Sequence, residues 1–334
     1  MENFPESMNA MVFHAAGEAL QPETRKIPSP RKHEVLIKVA ACGICRTDLH
    51  VQDAELPDIK YPVIPGHQVV GTVVASGTDA AFTSGDRVGI AWLGKTCGQC
   101  KFCISGTENL CDDASFHGYQ IDGGYAQYMI ADGDYCFAMP EHMPAAEAAP
   151  LLCAGLIGYR CLTMAGEAQV IGLYGFGSAA HIITQVAVQQ NRQIFAFTRP
   201  GDQSSQQFAL RTGATWAGDA DASPPTKLDA AIIFAPVGSL VPAALRATNK
   251  GGVVICGGIH MSDIPAFAYK DLWEERQIRS VANLTREDGH EFMGLAAAMP
   301  LKPVITTYPL EQANQALNDL REGNINGTAV LVMD

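Results

Sequence analysis

The sequence predicts an α/β protein with two domains, one rich in β-strands and one built on a parallel sheet. The chain has 334 residues, 47% of them apolar, which is enough for about two domains with sizeable cores. Glycine and proline are frequent up to about residue 145, as in a loop-rich β domain. Beyond that point short apolar strands alternate with helical segments, which indicates a parallel sheet covered on both faces.

The composition excludes several classes of function. The net charge of −12 and the isoelectric point near 5.2 argue against nucleic acid and anionic membrane surfaces as partners. No apolar run reaches the roughly 18 residues that a membrane span requires. Residues 1–10 lack the order of a secretion signal. Ten cysteines in a long chain without such a signal indicate reduced thiols and metal ligation, so we expect a cytoplasmic location.

The first domain is expected to contain short strands separated by turns. Alternating Val35, Ile37 and Val39 predict a strand over residues 33–40. Two further strands are predicted at residues 69–74 and 87–91. The sequence then changes character, and an alanine- and leucine-rich stretch predicts a helix over residues 145–165.

The second domain is predicted from a regular alternation of elements. Its strands are expected at residues 170–174, 194–198, 228–234, 252–257 and 277–281. Its helices are expected at residues 179–190, 203–212 and 240–249. The tail carries a predicted helix at 310–322 and a predicted strand at 329–333. We therefore expect one domain over residues 1–148 and again over 287–334, and the other over residues 149–286.

A glycine motif opens the second domain. Gly175-x-Gly177-x-x-Ala180 follows a predicted strand and begins a predicted helix, the context of a dinucleotide-binding loop. The first glycine makes the tight turn, and the second lets the backbone approach a pyrophosphate at the helix N-terminus. Alanine fits the third position, which serves helix–strand packing. A plain turn between strand and helix is the alternative.

The end of the next predicted strand bears on which cofactor is bound. The segment around Thr198 and Arg199 contains no acid that could accept a hydrogen bond from a ribose 2′-hydroxyl. Arg199 could pair with a 2′-phosphate, and Thr198 could donate to it. We expect NADP(H) to be favoured over NAD(H). An ordinary surface arginine is the alternative.

Four cysteines form a C-x₂-C-x₂-C-x₇-C cluster within a predicted lobe at about residues 95–112, which we call the four-cysteine lobe: Cys97, Cys100, Cys103 and Cys111. Four thiolates so close in sequence can surround one metal ion, and sulfur ligands favour zinc. Unliganded thiols in a loop are the alternative. Three further residues are too far apart in sequence for a local clip and suggest a second site, here called the Cys45 cluster: Cys45, His67 and Cys153.

These motifs, taken in order, resemble the zinc-dependent alcohol dehydrogenases of the medium-chain dehydrogenase/reductase superfamily. The motifs that carry the resemblance are Cys45-Arg-Thr47-Asp48-Leu-His50, Gly66-His67, Cys153, the four-cysteine lobe and the Gly175 loop. The resemblance extends over essentially the whole chain. It implies a GroES-like β-rich catalytic domain and a Rossmann domain with a doubly wound parallel sheet.

The resemblance also implies roles for individual residues. Cys45, His67 and Cys153 would hold a catalytic zinc with a fourth position open for water or a substrate oxygen. Thr47 would hydrogen-bond the substrate oxygen and His50 would pass the proton toward solvent. Asp48 would orient His67 through a hydrogen bond. Trp92 would line the substrate pocket, and the four-cysteine lobe would hold a structural zinc. For Trp92 the alternative is a core aromatic residue.

The chain departs from the family pattern at two further positions. Gln68 stands where the family usually has glutamate after the ligand histidine, which removes a negative charge near the metal. An arginine that many relatives have near Gly327 and Thr328 is absent, so cofactor affinity would depend more on Arg199 and the helix terminus. Cys42, at C-x₂-C spacing from Cys45, is expected to be a packed thiol.

The sequence thus leads to one main hypothesis and two alternatives. The main hypothesis is a zinc-dependent, NAD(P)-linked dehydrogenase that interconverts alcohols, primary ones above all, with aldehydes or ketones and holds two zinc ions per chain. A homodimer or homotetramer is expected from the resemblance. One alternative is a zinc-independent quinone or enoyl reductase of the same superfamily, and the other is a non-catalytic zinc protein that binds nucleotide.

Overall fold

The computed structural model describes residues 5–333, so the predictions for residues 1–4 and 334 lie outside the described part. The chain divides into two compact units, Met1–Cys153 with Leu284–Asp334 and Ala154–Asn283. Our predicted boundaries at residues 148 and 287 lie close to these divisions. The first division nevertheless places Cys153 in the first unit, with Cys45 and His67, whereas the sequence prediction assigned it to the second domain.

Within residues 5–333 the strands, numbered in chain order, are β1 (Ser7–Val12), β2 (Gln21–Lys26), β3 (Glu34–Ile44), β4 (Val69–Ser76), β5 (Arg87–Ile90), β6 (Leu93–Lys95), β7 (Ser115–Phe116), β8 (Tyr128–Asp132), β9 (Cys136–Ala138), β10 (Val170–Tyr174), β11 (Gln193–Thr198), β12 (Trp216–Asp219), β13 (Leu228–Ile233), β14 (Thr248–Cys256), β15 (Gln277–Ser280), β16 (Ile305–Pro309) and β17 (Thr328–Val332).

The α-helices are α1 (Arg46–Gln52), α2 (Lys101–Ile104), α3 (Ala145–Ala148), α4 (Ala154–Met164), α5 (Ser178–Gln189), α6 (Gln203–Thr212), α7 (Leu240–Ala247), α8 (Tyr269–Leu272), α9 (Arg286–Ala298) and α10 (Ala313–Glu322). Short 3₁₀ helices cover Glu108–Leu110, Gly133–Tyr135, Ala149–Leu152 and Leu310–Gln312.

The first unit is built around a seven-stranded sheet. Its order is β16-β17-β3-β4-β5-β9, and β8 also pairs with β3. The long strand β3 is central because β17, β4 and β8 all pair with it antiparallel. Fully buried side chains of β3 and β4, among them Val35, Ile37, Val69 and Val73, form part of this unit's core. The C-terminal residues therefore complete the sheet that the N-terminal half begins.

The predicted helix over residues 145–165 is broken in the structure. It consists of α3, the 3₁₀ helix Ala149–Leu152 and α4, and Cys153 lies between the last two with φ −135° and ψ −67°. Pro150 has no backbone N–H and so cannot complete a regular α-helical turn. The composition of the segment favours helix, but Cys153 leaves the helical path. This break is the structural feature that presents the Cys153 side chain.

Twelve other α-helices and strands were missed from the sequence. They are the helices α1, α2, α8 and α9 and the strands β1, β2, β6, β7, β8, β9, β12 and β16. Each is short or weakly periodic, so the apolar spacing on which we relied does not reveal it. Helix α1 carries Thr47, Asp48 and His50, and β12 ends at Asp219.

The second unit contains a six-stranded parallel sheet of order β12-β11-β10-β13-β14-β15. Strand order reverses direction at β10, as in a doubly wound dinucleotide-binding fold. The central strands are buried on both faces, and Ile171, Leu173, Ile232 and Ile233 are fully inaccessible to solvent. The predicted α/β class is confirmed, because crossover helices α5, α6 and α7 connect strands that run in parallel.

Among the described residues, no individual helix combines the length and apolar composition needed to cross a membrane. The bent pair Ala145–Leu152 and Ala154–Met164 passes that test only when the two are taken together. Leu151, Leu152 and Leu156 in this pair are fully buried in the protein core.

Candidate active site and metal centres

The pairing of β3 with β4 brings Cys45 and His67 together. The two strands are antiparallel, with Cys42 opposite Val69, so the residues just after β3 meet those just before β4. The pairing continues past the strand end, where the Gly43 N–H donates to the Gln68 carbonyl at 2.9 Å. Two residues 22 positions apart in sequence thus become neighbours through strand register alone.

Gly66 determines how the chain enters His67. It has φ +100°, and a Cβ there would lie 2.4 Å from the ring of Tyr125 and 2.8 Å from the Cys42 sulfur. Only glycine fits a left-handed backbone wedged so tightly. The Tyr125 N–H donates to the Pro65 carbonyl at 2.9 Å, which fixes the same segment from the other side. His67 is consequently held rigidly and is only 1% exposed.

Cys45 is the N-cap of helix α1. Its sulfur accepts the Thr47 N–H at 3.3 Å, and its own N–H donates to Asp48 Oδ2 at 2.8 Å. This reciprocal arrangement is a capping box with a thiol in place of the usual hydroxyl. The Cys45 side chain is therefore oriented by the helix that it begins.

The third member of the cluster comes from the break before α4. The Cys45 sulfur lies 4.0 Å from the Cys153 sulfur and 3.1 Å from His67 Nε2, and the three candidate donor atoms all lie within 4.8 Å of one another. The hydrogen bond from Cys153 and the charge on His67 lower the pKa of Cys45 well below 9.0, although burial opposes this. Sharing that proton and being buried raise the pKa of Cys153 well above 9.0.

The other ring nitrogen of His67 faces a buried carboxylate. His67 Nδ1 lies 3.4 Å from Asp48 Oδ1, and both side chains are almost fully inaccessible. Burial disfavours a charged imidazole, but the charges of Cys45 and Asp48 outweigh it and raise the pKa of His67 well above 6.5. With Nδ1 turned to the carboxylate, Nε2 faces the two sulfurs, as expected of a histidine that ligates metal.

The donor set of the Cys45 cluster fits zinc. Bonds of about 2.3 Å to sulfur and about 2.0 Å to nitrogen place tetrahedral ligands roughly 3.5–3.8 Å apart. The separations of 3.1 and 4.0 Å lie close to that range. Two sulfurs and one imidazole are also the ligand set of catalytic zinc in alcohol dehydrogenases.

Thr47 and His50 follow on the same short helix. Thr47 lies in its first turn and is 9% exposed. His50 lies near its end, and its Nδ1 forms a hydrogen bond with Glu55 Oε2. The Glu55 side chain is 49% exposed, so this pair extends from a mostly buried imidazole to the solvent. Glu55 was not identified from the sequence, since nothing in the pattern marks a carboxylate five residues after His50.

Trp92 lies beside the Cys45 cluster. Its ring centroid is 6.3 Å from that of His67, and it stacks on Phe116 at 4.3 Å. His117 lies nearby with Nδ1 2.9 Å from the Ala91 carbonyl, an arrangement in which Nδ1–H donates. Burial lowers the pKa of His117 to about 4, so its ring is neutral at pH 7.

Gln68, the departure from the family pattern, is fully buried. Its side chain packs against Gly43, where an added Cβ would lie 3.0 Å from Gln68 Cδ. Neither polar atom of this amide has a hydrogen-bond partner among the described residues. The position therefore accepts a neutral side chain facing the β3 backbone.

The four-cysteine lobe brings its sulfurs together without distant help. The sulfur–sulfur distances are 3.5 Å for Cys100–Cys103 and Cys97–Cys111, and 3.9 Å for Cys97–Cys103. These distances match those expected between thiolates arranged as a tetrahedron around zinc. The hydrogen bond with Thr96 lowers the pKa of Cys103 to about 7, which favours the thiolate that a metal requires.

A buried carboxylate joins the lobe to helix α9. Glu108 is 3% exposed, and its Oε1 accepts the Arg286 N–H at 2.8 Å and the Arg286 Nε–H at 3.3 Å. The Arg286 guanidinium also lies 5.2 Å from the Tyr135 ring, and the Tyr135 hydroxyl is 2.6 Å from Thr96 Oγ1. The sequence offered no sign of this contact, because its partners are 178 positions apart.

The glycine loop of the second unit has room for a ligand at its second glycine. Gly175 has φ +89°, and a Cβ there would lie 3.0 Å from the backbone nitrogen of Ala235. A Cβ at Gly177 would meet nothing within 4 Å, so the space beside its backbone is open. Gly177 also begins α5 without a side-chain cap, and Ala180 is fully buried in the first turn. These features fit a pyrophosphate at the helix N-terminus.

Thr198 and Arg199 differ in their surroundings. Thr198 ends β11 and is 3% exposed, with its hydroxyl hydrogen-bonded to Gln206 Nε2 at 3.2 Å. Arg199 is exposed and forms no ion pair among the described residues. Thr198 is thus occupied within the fold, whereas the Arg199 guanidinium is available to an anion.

Comparison with known proteins identifies the family. Residues 31–141 match the model of the alcohol dehydrogenase GroES-like domain. The chain is 46% identical over 323 residues to the probable alcohol dehydrogenase AdhA of Mycobacterium tuberculosis, covering 94% of this chain and 93% of that protein. It is 34% identical to an alcohol dehydrogenase of Moraxella sp., covering 97% of this chain and 99% of the other.

The chain belongs to the zinc-dependent alcohol dehydrogenases. The solved structure of acetophenone reductase from Geotrichum candidum in complex with NAD is similar to this chain and supports the family assignment. Its TM-score is 0.87 and its sequence identity 27%, covering 99% of this chain and 98% of that one. The family and the predicted GroES-like and Rossmann folds are therefore confirmed. The protein is an oxidoreductase that acts on alcohols.

Proposed function

We propose that this protein is a zinc-dependent, NAD(P)-linked alcohol dehydrogenase whose catalytic zinc is held by Cys45, His67 and Cys153. The observation that carries the proposal is the convergence of these three donors, from three separate segments, within 4.8 Å. A zinc ion held by these residues would supply Lewis-acid chemistry toward the alcohol oxygen, and a bound nicotinamide would supply the hydride acceptor. The same convergence argues against the zinc-independent reductase alternative.

Asp48 is the positioning residue of this centre. Its Oδ1 faces His67 Nδ1, and its Oδ2 accepts the N–H of Cys45, so one carboxylate orients two of the three donors. Removing a partner of this kind typically lowers metal affinity or activity by about 10- to 100-fold. Its burial in the first turn of α1 supports this role.

Thr47 and His50 would handle the proton that the alcohol loses. We assign the Thr47 hydroxyl to the substrate oxygen, because Thr47 stands two residues after the ligand Cys45 and its backbone N–H donates to the Cys45 sulfur at 3.3 Å. His50 Nδ1–H donates to the Glu55 carboxylate, which leaves Nε2 as the nitrogen that can accept a proton. When Nε2 gains that proton, the Nδ1 proton can pass to half-exposed Glu55 and then to water.

This route is open to a direct test. Glu55→Gln removes the proton acceptor and should lower kcat for alcohol oxidation by about 10-fold, less than the roughly 10²–10⁴-fold that a general acid or base itself contributes. The kcat of the variant should rise with buffer concentration, because buffer base can take the proton that Glu55 no longer accepts. The matched control is Glu23→Gln, which removes the carboxylate from the similar His14–Glu23 pair in the same unit. Equal effects of both variants would contradict the route.

The cofactor is assigned to the second unit. The backbone at Gly175, Gly177 and Ala180 would hold the pyrophosphate, and Thr198 and Arg199 would lie toward the adenosine ribose. NADP(H) is proposed as the favoured cofactor because β11 ends without an acid and Arg199 has no ion-pair partner among the described residues. The Thr198 hydroxyl is already hydrogen-bonded to Gln206, so Thr198 would contribute to the cofactor site through its backbone at the end of β11.

Further parts of the proposal concern substrate and assembly. Trp92 beside His67 would narrow the pocket, which favours primary alcohols and their aldehydes. A second zinc would occupy the four-cysteine lobe. A reducing compartment such as the cytoplasm suits ten cysteines of which none forms a disulfide among the described residues. A homodimer or homotetramer is proposed from the family.

The decisive experiment is metal analysis combined with a steady-state screen of alcohols and aldehydes with NAD(H) and NADP(H). Two zinc ions per chain and turnover with a simple alcohol are expected. Nucleotide binding without turnover by fully metallated protein would contradict the enzyme and favour the non-catalytic zinc protein. Turnover that survives loss of the zinc held by the Cys45 cluster would contradict the role of that cluster.

A further inference from the structure

Asp219 lies at the edge of the second-unit sheet where the cofactor is assigned. Strands β10, β11 and β12 are parallel neighbours, with Tyr174 opposite Phe197 and Thr198 opposite Asp219. The carboxyl ends of these strands therefore form one edge, and the glycine loop begins there. In folds of this type the adenosine ribose binds at this edge, near the end of the second strand.

In the part of the chain that the structure describes, the donors that bond to the Asp219 carboxylate are neutral. Its Oδ1 accepts the Gly201 N–H at 3.0 Å and the Gln206 Nε2–H at 2.8 Å. No cation pairs with it among the described residues, and Arg199 likewise has no ion-pair partner there. A negative charge and a positive charge thus lie at the same strand ends without neutralising each other.

Asp219 also holds the loop that carries Arg199. Residues 199–202 connect β11 to α6 by a tight turn in which the Asp202 N–H donates to the Arg199 carbonyl at 3.0 Å. Gly201 has φ +78° in this turn, a conformation that favours glycine. Its N–H points to the Asp219 carboxylate, so the next strand fixes the turn two residues after Arg199.

We propose that Asp219 is a specificity-determining residue, whose negative charge opposes a 2′-phosphate on the cofactor ribose while its hydrogen bonds keep Arg199 in place to attract one. This inference rests on the proposed function, since it concerns the same cofactor site. The preference between NADP(H) and NAD(H) is then a balance of two opposite charges on neighbouring strand ends. The sequence pattern covers only the end of β11. It therefore detects Arg199, which attracts a 2′-phosphate, and misses Asp219, which repels it.

The test measures binding of two cofactor fragments, 2′,5′-ADP and 5′-ADP, to the full-length protein by calorimetry. Asp219→Asn keeps an oxygen that accepts the Gly201 N–H but removes the charge. We expect affinity for 2′,5′-ADP to rise about 10-fold, with affinity for 5′-ADP changed less than about twofold. Asp219→Ser removes the same charge with a smaller side chain and should shift the ratio in the same direction if the Asn variant does not fold.

The matched control is Asp229→Asn. Asp229 lies at the opposite, amino-terminal edge of the same sheet and also accepts two neutral N–H groups, from Gln169 and Val170 at 3.0 and 2.9 Å. It should leave the ratio of the two affinities unchanged. An unchanged ratio in the folded Asp219 variants, or an equal rise in the Asp229 variant, would overturn the inference.

A third variant separates this inference from the proposed cofactor preference. Arg199→Ala should lower affinity for 2′,5′-ADP about 10-fold and leave 5′-ADP unaffected. If Arg199→Ala has no effect while Asp219→Asn raises the ratio, the proposed role of Arg199 fails and the inference about Asp219 holds. The opposite result would support Arg199 and reject Asp219.

Discussion

In the four-cysteine lobe all the donors come from residues no more than 14 positions apart, whereas Cys45 and Cys153 of the Cys45 cluster are separated by 108. The cysteines of the two clusters are similarly buried, since three lobe cysteines and both Cys45 and Cys153 are partly exposed, but the Cys45 cluster also includes His67, which is only 1% exposed. Among residues 5–333 the lobe offers four cysteine sulfurs as donors, and the Cys45 cluster offers three donors. A closed local set suits a structural metal, and an open set built by the whole unit suits a catalytic one.

The first prediction tests whether the Cys45 cluster is the catalytic one. Cys45→Ser should remove one zinc per chain and lower kcat by at least about 10³-fold, because a Lewis acid supplies several kcal/mol to such a reaction. The circular dichroism spectrum and the second zinc should remain. Cys42→Ser is the control, since Cys42 is a buried neighbour outside the cluster. Similar losses in both variants would contradict the assignment.

The second prediction concerns the lobe. Cys103→Ser should remove the other zinc and lower the free energy of unfolding of the first unit by on the order of 5 kcal/mol or more, because structural zinc contributes directly to folding. Urea unfolding with metal analysis would measure both. The kcat of protein that remains folded should change less than about threefold. A large loss of kcat at full stability would mean that the two clusters do not differ as described.

The third prediction tests how the lobe is attached. Glu108→Gln leaves a weaker acceptor for the N–H and guanidinium of Arg286 and should cost about 1–3 kcal/mol of stability. Glu287→Gln, an exposed acid in the first turn of α9, is the control and should cost less than about 1 kcal/mol. Comparable urea midpoints for the two variants would show that the buried contact adds no more to the free energy of unfolding than an exposed acid does.

The fourth prediction uses a group found beside the Cys45 cluster and absent from the lobe. His117 has a folded pKa of about 4, below its unfolded value near 6.5, so the unfolded chain gains its proton first as pH falls. The resulting stability loss begins near pH 6.5 and should reach about 1 kcal/mol between pH 7 and 5.5.

His117→Asn provides the comparison for that pH effect. Asparagine can still donate to the Ala91 carbonyl but cannot titrate, so the variant should lose about 1 kcal/mol less than wild type over the same pH range. Urea midpoints at both pH values measure this difference. Parallel loss in the two proteins would show that other groups account for the acid sensitivity.

The sequence predicted most regular elements of the second unit, because buried parallel strands and their crossover helices have strong periodic patterns. Strand β10 at Val170–Tyr174 and helix α6 at Gln203–Thr212 lie where they were predicted. The predicted helix over residues 145–165 was wrong as a continuous element, since its composition could not reveal the turn at Cys153. Helix α1 was missed because seven residues offer too little periodicity.

What the sequence by itself determined about this protein is the family, the two domains and the four-cysteine lobe, because closely spaced glycines and cysteines constrain the chain locally. Only the tertiary structure decided the details that depend on distant partners. Strand register brings Cys45 to His67, the end of a neighbouring strand brings Asp219 to the Arg199 loop, and a contact across 178 positions joins Glu108 to Arg286. Side chains far apart in sequence meet through backbone pairing and packing, which no local pattern encodes.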